Sequence, residues 1–288
     1  MNIITKPTMR SDGLAAVRRE LDALIGHDRL DLPALPEQVA RAVEIALKPG
    51  RDPRALARLV ASDRRLAARV MRVARAGTWP PDSHLPSLAR AIHWLGVAEV
   101  SDIVFTAAAG QALLDGAGSR PRVTRAWQHS VACAIWSREI AAMARRRSPL
   151  AYACGLMHDA GQLVALLVAA DLAGKLGVGL TDDDYDALVH QFRGQLGSLL
   201  AQRWQLPEAV VACMLHWREP EGAGSFADEA KVVHIAHHVA DLVVGQGTEI
   251  ARAALRANPD FDTLNIGPDR VKALIDRTDW VMGQVKAY

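Results

Sequence analysis

The sequence predicts an all-α, two-lobed helical bundle, on three observations. Ala, Leu, Val and Arg dominate, while Tyr and Phe number only three and four in 288 residues, a balance that favours helix over sheet. Apolar residues recur at i, i+3, i+4 and i+7 in one segment after another. No segment alternates apolar and polar residues with period two.

The elements follow in order. Residues 13–26, GLAAVRRELDALIG, carry a helical apolar stripe, and this N-terminal helix is expected to pack on the first lobe. A Pro-rich loop, DLPALPEQ, leads to EQVARAVEIALK, with Pro36 suited to a first helical turn and Pro49-Gly50 as the stop. Asp52 and Pro53 announce the next helix as N-cap and first helical residue. Ser62 or Asp63 caps RRLAARVMRVARAG, which Gly77 closes. The stretch 87–114 continues in helices, with Gly96 as a break. Beyond it come helices at about 122–146, 149–170, 182–203, 207–217 and 227–245, then a GQGTE loop and two short terminal helices. The most linker-like segment is DGAGSRP, 115–121. It divides the chain into an N-terminal helical extension (1–29), a first helical lobe (30–118) and a second lobe with the C-terminal helices (119–288).

Composition narrows the function classes. Half the residues are hydrophobic, which excludes a disordered chain. A formal charge of +2 gives no ground to expect nucleic acid. Cys133, Cys154 and Cys213 are odd in number and form no CxxC pair, so they read as buried thiols in a reducing compartment. The N-terminus lacks a secretory pattern and charge or His interrupts every long apolar run, so a cytoplasmic protein without membrane spans is expected. No Gly-rich phosphate loop and no G-x-S-x-G occurs. Arg145, Arg146 and Arg147 form a basic run that also ends a helix, where cations oppose the negative dipole end.

The chemistry concentrates in histidines. His158 and Asp159 stand side by side in the apolar run ACGLMHDAGQLVALL, and imidazole and carboxylate are both good ligands for a divalent ion. The same pair also reads as a buried polar pair in which Asp159 fixes the histidine tautomer. His129 shares the inward helix face of Cys133, Trp136 and Ile140. His216 lies in CMLHWREP. In KVVHIAHHVADLV, His237 lies at the edge of the buried stripe beside His234 and Asp241, and His238 points further out. One histidine from each of several helices can thus converge on His158 and Asp159, as a site in a helical bundle requires.

This order of residues resembles the HD superfamily of metal-dependent phosphohydrolases. The segments LPALPEQVARAVEIA, LARLVASDRRLAARVMRVARAG and LPSLARAIHWLGVAEVSDIVF look more specifically like the HDOD (HD-related output domain) family. WQHSVACA, GLMHDAGQLV, LLAQRWQLPEAVVACMLHW and VVHIAHHVA continue the match, over about residues 30–245. The resemblance implies a two-lobed all-α signalling domain of bacteria, its second lobe HD-like, generally without the hydrolase activity of its HD relatives. It also implies metal-ligating roles for His129, His158, Asp159 and His216, with His237 as a substitute ligand. The chain departs from the family pattern at Arg64 and at Arg75-Ala76. Where two-metal relatives place further histidines, this chain has Arg193 and Trp217, and His190 lies three residues before Arg193.

These readings lead to a regulatory module that binds signalling proteins or a small ligand, with no catalytic residues. No cofactor is expected beyond at most one divalent ion, and neither nucleic acid nor membrane is expected as a partner. Two rivals stay open: an HD-type phosphohydrolase acting on a nucleotide or phosphodiester, and a nucleic-acid-associated regulator using its arginine-rich surface.

Overall fold

The computed structural model describes residues 10–35, 40, 44–45, 52–76, 87–115, 120–145, 148–244 and 248–288, and among them every regular element is helical. Residues 40, 44 and 45 of the expected helix at 37–48 are helical; the rest of it, its stop at Pro49-Gly50, the closing Gly77, Arg146, Arg147 and most of the 115–121 linker lie outside the described residues.

After α1 (Arg10–Gly26) come α2 (Pro53–Ser62), α3 (Arg64–Ala76) and α4 (Leu88–Leu114). Asp52 caps α2 by accepting the N–H of Arg54 at 2.8 Å, and Asp63 caps α3 by accepting that of Arg65 at 2.7 Å. Helix α4 breaks at Gly96, whose φ of 77° lies in the left-handed region that glycine tolerates best. The second half follows with α5 (Pro121–Met143), α6 (Ala151–Met157), α7 (Ala160–Leu176), α8 (Asp182–Arg203) and α9 (Glu208–His216). A 3₁₀ turn (Pro220–Phe226) leads to α10 (Ala227–Val244), and the chain ends with α11 (Glu249–Arg256), α12 (Asp260–Thr263), α13 (Pro268–Asp276) and α14 (Thr278–Ala287).

Three expectations need correction. The single helix at 149–170 is two, because the chain leaves helical geometry at Asp159 (φ −126°, ψ 33°). Sequence adjacency places α1 on the first lobe, yet it packs on α7 and α8. Its fully buried Val17 and Leu21 form the stripe, and the bare Gly13 brings the helix against the backbone at Val178-Gly179. The tail after 248 holds four short helices rather than two, since each apolar stretch there is interrupted within about three turns.

Helices α5 and α10 form the central pair, with α6 against both and α7 against α8. The last helix, α14, packs on α3, α5 and α10. Gln284 donates to the Ala76 carbonyl at 2.6 Å and the Tyr288 hydroxyl to Glu99 at 3.1 Å. Arg138 of α5 pairs with Glu99 and Asp102 of α4 at 2.8 and 2.9 Å, tying α4 to the second half. Leu88–Leu114 and Ala151–Leu176 are long and apolar enough to cross a membrane, but 56% and 72% of their apolar windows are buried in this core. The three cysteines are buried thiols.

Candidate metal centre

Two glycines set the geometry. A Cβ on Gly155 would collide with the Ser137 hydroxyl and lie 2.7 Å from the Cys133 carbonyl, so α6 crosses α5 at backbone contact. A Cβ on Gly161 would collide with the Arg193 carbonyl and lie 2.9 Å from the Gly197 nitrogen, so α7 meets α8 equally closely. Between these crossings the chain turns out of helix at His158-Asp159. The first crossing delivers His158 to the face of α5 that carries His129. The second delivers Asp159 to Arg193.

His158 is fully buried, and its Nδ1 donates to the Gly155 carbonyl at 2.7 Å. That bond fixes the tautomer and leaves Nε2 with a free lone pair, the arrangement usual for a metal-ligating histidine. The tautomer is therefore set by Gly155, not by Asp159. His158 Nε2 meets Nδ1 of His237 at 3.0 Å, and His237 is the donor. The His129 ring stands 4.6 Å from that of His237 and 5.7 Å from that of His158. One ring nitrogen from each of the three lies within 4.8 Å of the others.

Burial and mutual repulsion keep His158 and His237 neutral. Burial, then His129 and Arg193, lower His158 from 6.5 to about 3. His237 falls further, first through burial and then through the proximity of His158, which disfavours a second proton beside it. Neutral imidazoles are the form that binds metal.

The remaining expected residues lie apart from the trio. Asp159 turns its carboxylate toward Arg193 and Arg218, each at 3.8 Å, too far for hydrogen bonds. Burial outweighs the pull of Arg193 and raises it from 3.8 to about 6. His216 packs its ring under the 3₁₀ turn, where a Cβ on Gly222 would lie 2.7 Å from its Nδ1. His238 is exposed, as its place on the wheel predicts. Asp241, given no ligand role from the sequence, sits 3.0 Å from His129 Nε2 and 3.6 Å from His237 Nε2. It lies off the ring N–H direction of His129, whose buried Nε2 has no hydrogen bond. The signal was its spacing of four from His237.

Trp217 closes one side, its ring 4.1 Å from His237 and 5.1 Å from His158. Arg218 lies over its face at 3.8 Å, and His234 donates to its carbonyl at 3.0 Å. His129, Asp159, His237 and Asp241 line part of a cavity of about 1320 Å³ that also reaches Arg122 and Tyr185.

This donor set fits one ion. Three imidazole nitrogens, one of them a buried orphan and one on a ring oriented by a backbone carbonyl, are a competent set for a borderline divalent metal. Tetrahedral coordination at about 2.05 Å separates ligand nitrogens by about 3.3 Å, so for both to ligate, His237 would move its proton from Nδ1 to Nε2 and the contact with His158 would open by a few tenths of an ångström.

The family model for the HDOD domain matches residues 32–220. No curated protein matches the chain. An HDOD domain protein of unknown function from Geobacter sulfurreducens superposes with a TM-score of 0.70 at 19% identity, covering 96% of this chain and 99% of that one. A candidate metal-dependent phosphohydrolase from Shewanella amazonensis SB2B gives 0.67 at 17%, covering 95% and 99%. A candidate signal transduction protein from Marinobacter aquaeolei VT8 gives 0.66 at 23%, covering 96% of this chain and 66% of that one. Identities this low establish the shared fold.

Proposed function

This chain is a member of the HDOD family, and on that premise we propose that it is a cytoplasmic output module of bacterial signal transduction. It acts by binding regulatory proteins, around an HD centre that holds at most one divalent ion. The observation that carries this reading is Arg193, 3.8 Å from Asp159. A guanidinium stays protonated, and its field already depresses His158 and His237. At 4 Å and an effective dielectric of 20, a unit charge repels another by about 4 kcal/mol, and a divalent ion by about twice that.

The single ion would be held by His129, His158 and His237, where it would supply Lewis acidity. A second ion would need further donors. Trp217 offers no lone pair, and Asp159 faces two arginines instead of the imidazoles. Clamping both the attacking and the leaving oxygen of a phosphodiester takes two ions, so the centre is degenerate for that chemistry.

The Marinobacter neighbour's description supports a signalling role, and the Shewanella one supports the rival, one-metal hydrolysis of a nucleotide or phosphodiester. The rival also draws on the cavity that His129 and His237 line. Titration of the metal-free protein with Zn²⁺, Mn²⁺, Fe²⁺ and Ni²⁺, read by calorimetry and elemental analysis, tests the centre. At most one ion per chain, lost in His158→Ala, is expected; two ions per chain would contradict the proposal.

A further inference from the structure

We propose that the exposed faces of α2 and α3 form a docking surface for a helix of a partner protein that carries carboxylates along one side. This rests on the binding-module reading and adds to it the place of contact and the partner's chemistry.

Charge is concentrated here. Residues 52–76 hold seven arginines and two aspartates, with no lysine or glutamate, in a chain whose formal net charge is +2. Both aspartates are committed as caps, accepting backbone N–H groups of Arg54 and of Arg65 and Leu66. Arg54 and Arg58 stand exposed one turn apart on α2, and Arg64, Arg65, Arg72 and Arg75 are exposed on α3. Among the described residues, none of the seven makes an ion pair.

Stability does not account for this pattern. Arg64 and Arg65 occupy the first turn of α3, which contains no acidic residue, at the positive end of the helix dipole. Arg69 is partly buried, and burial together with neighbouring Arg72 holds its pKa below the usual arginine range. Like charges one turn apart destabilise a helix. A cluster that repels itself and, among the described residues, has no ion-paired counter-charge gains from an anionic partner.

The residues between the arginines decide which partner. Ala61, Ala68 and Ala76 are exposed among them, so the surface is low and a helix backbone can approach. The segment contains no aromatic, His, Asn or Gln with which to stack on or read bases. Guanidinium forks match carboxylates in bidentate pairs, and a helix with Glu at i, i+4 and i+7 presents them at the spacing of Arg65, Arg69 and Arg72 on α3.

The test uses the full chain and fluorescence anisotropy with three probes. One is a helical peptide with its glutamates on one face, the second has the same composition with glutamates scattered round the helix, and the third is a DNA duplex. The one-face peptide is expected to bind roughly tenfold tighter than the scattered one and to weaken as ionic strength rises. The triple variant R64Q/R65Q/R72Q is expected to lose roughly tenfold in that affinity with its circular dichroism spectrum unchanged. Equal affinity for the two peptides, or an undiminished affinity in the triple variant, overturns the proposal. Tighter binding of the duplex than of the one-face peptide overturns it in favour of nucleic acid. The metal titration involves none of these arginines, so failure here leaves the binding-module reading standing and its failure shows separately.

Discussion

His158 folds as a neutral imidazole, and that choice has a pH signature. Its pKa drops from 6.5 to about 3 in the folded chain, so between those values the unfolded chain binds more protons. Its stabilising effect is complete above about pH 6.5 and is lost as the pH falls through this window. Asp159 works in the opposite sense: raised from 3.8 to about 6, it makes folding less favourable as the pH climbs through that range. Melting temperatures of the wild type are expected to drop from neutral pH toward pH 4, and His158→Gln is expected to flatten that drop. A variant whose acid limb parallels the wild type would contradict the assignment. Arg193 gives a second residue-level expectation. Its removal in Arg193→Met takes away the largest force lowering Asp159, so the carboxyl should titrate above about 6, as carbon-13 NMR of the aspartate side chains would show.

At the scale of elements, the centre depends on the α7–α8 crossing. Gly161→Ala would drive a methyl into the Arg193 carbonyl, a backbone atom that cannot move without shifting α8. The expected cost is about 3 kcal/mol or more, at the upper end for overpacking. Gly194→Ala is the control, since a Cβ there meets nothing within 4 Å. Equal denaturation midpoints for the two variants would show that the crossing is looser than described. The loop after α1 gives a milder case. Trp204 Nε1 donates to the Pro33 carbonyl at 2.9 Å, and Trp204→Phe should cost about 1 kcal/mol and speed amide exchange in residues 29–35.

Legibility in the sequence followed the range of the interaction. Asp52-Pro53 and Asp63 marked their helices because capping is local. The histidines of α5 and α10 were legible because helical spacing puts them on inward faces, where burial is decided by pattern. The break at His158-Asp159 was not, since Ala, Leu and Val on both sides read as one helix and the turn is fixed by contacts with α5 and α8. Asp159 facing two arginines was equally hidden, because Arg193 and Arg218 are 34 and 59 residues away, the first brought to it by the Gly161 crossing and the second by the turn after α9. Asp241 was set aside in favour of His237, whereas the coil of α10 brings both to His129.

At the scale of the whole molecule, the proposed function has this HDOD chain bind partners rather than hydrolyse phosphoesters. Helices α5, α6 and α10 bring three imidazoles to one point, while α8 and the turn after α9 supply two cations and an indole at the same centre. The most direct measurement is turnover by the purified chain with excess Mn²⁺, Mg²⁺, Fe²⁺ or Ni²⁺, against cyclic dinucleotides, mononucleotides and a chromogenic phosphodiester. Rates indistinguishable from those of His158→Ala and Asp159→Ala are expected in every combination. Metal-dependent turnover that either substitution abolishes would contradict the account and make the protein a one-metal phosphohydrolase.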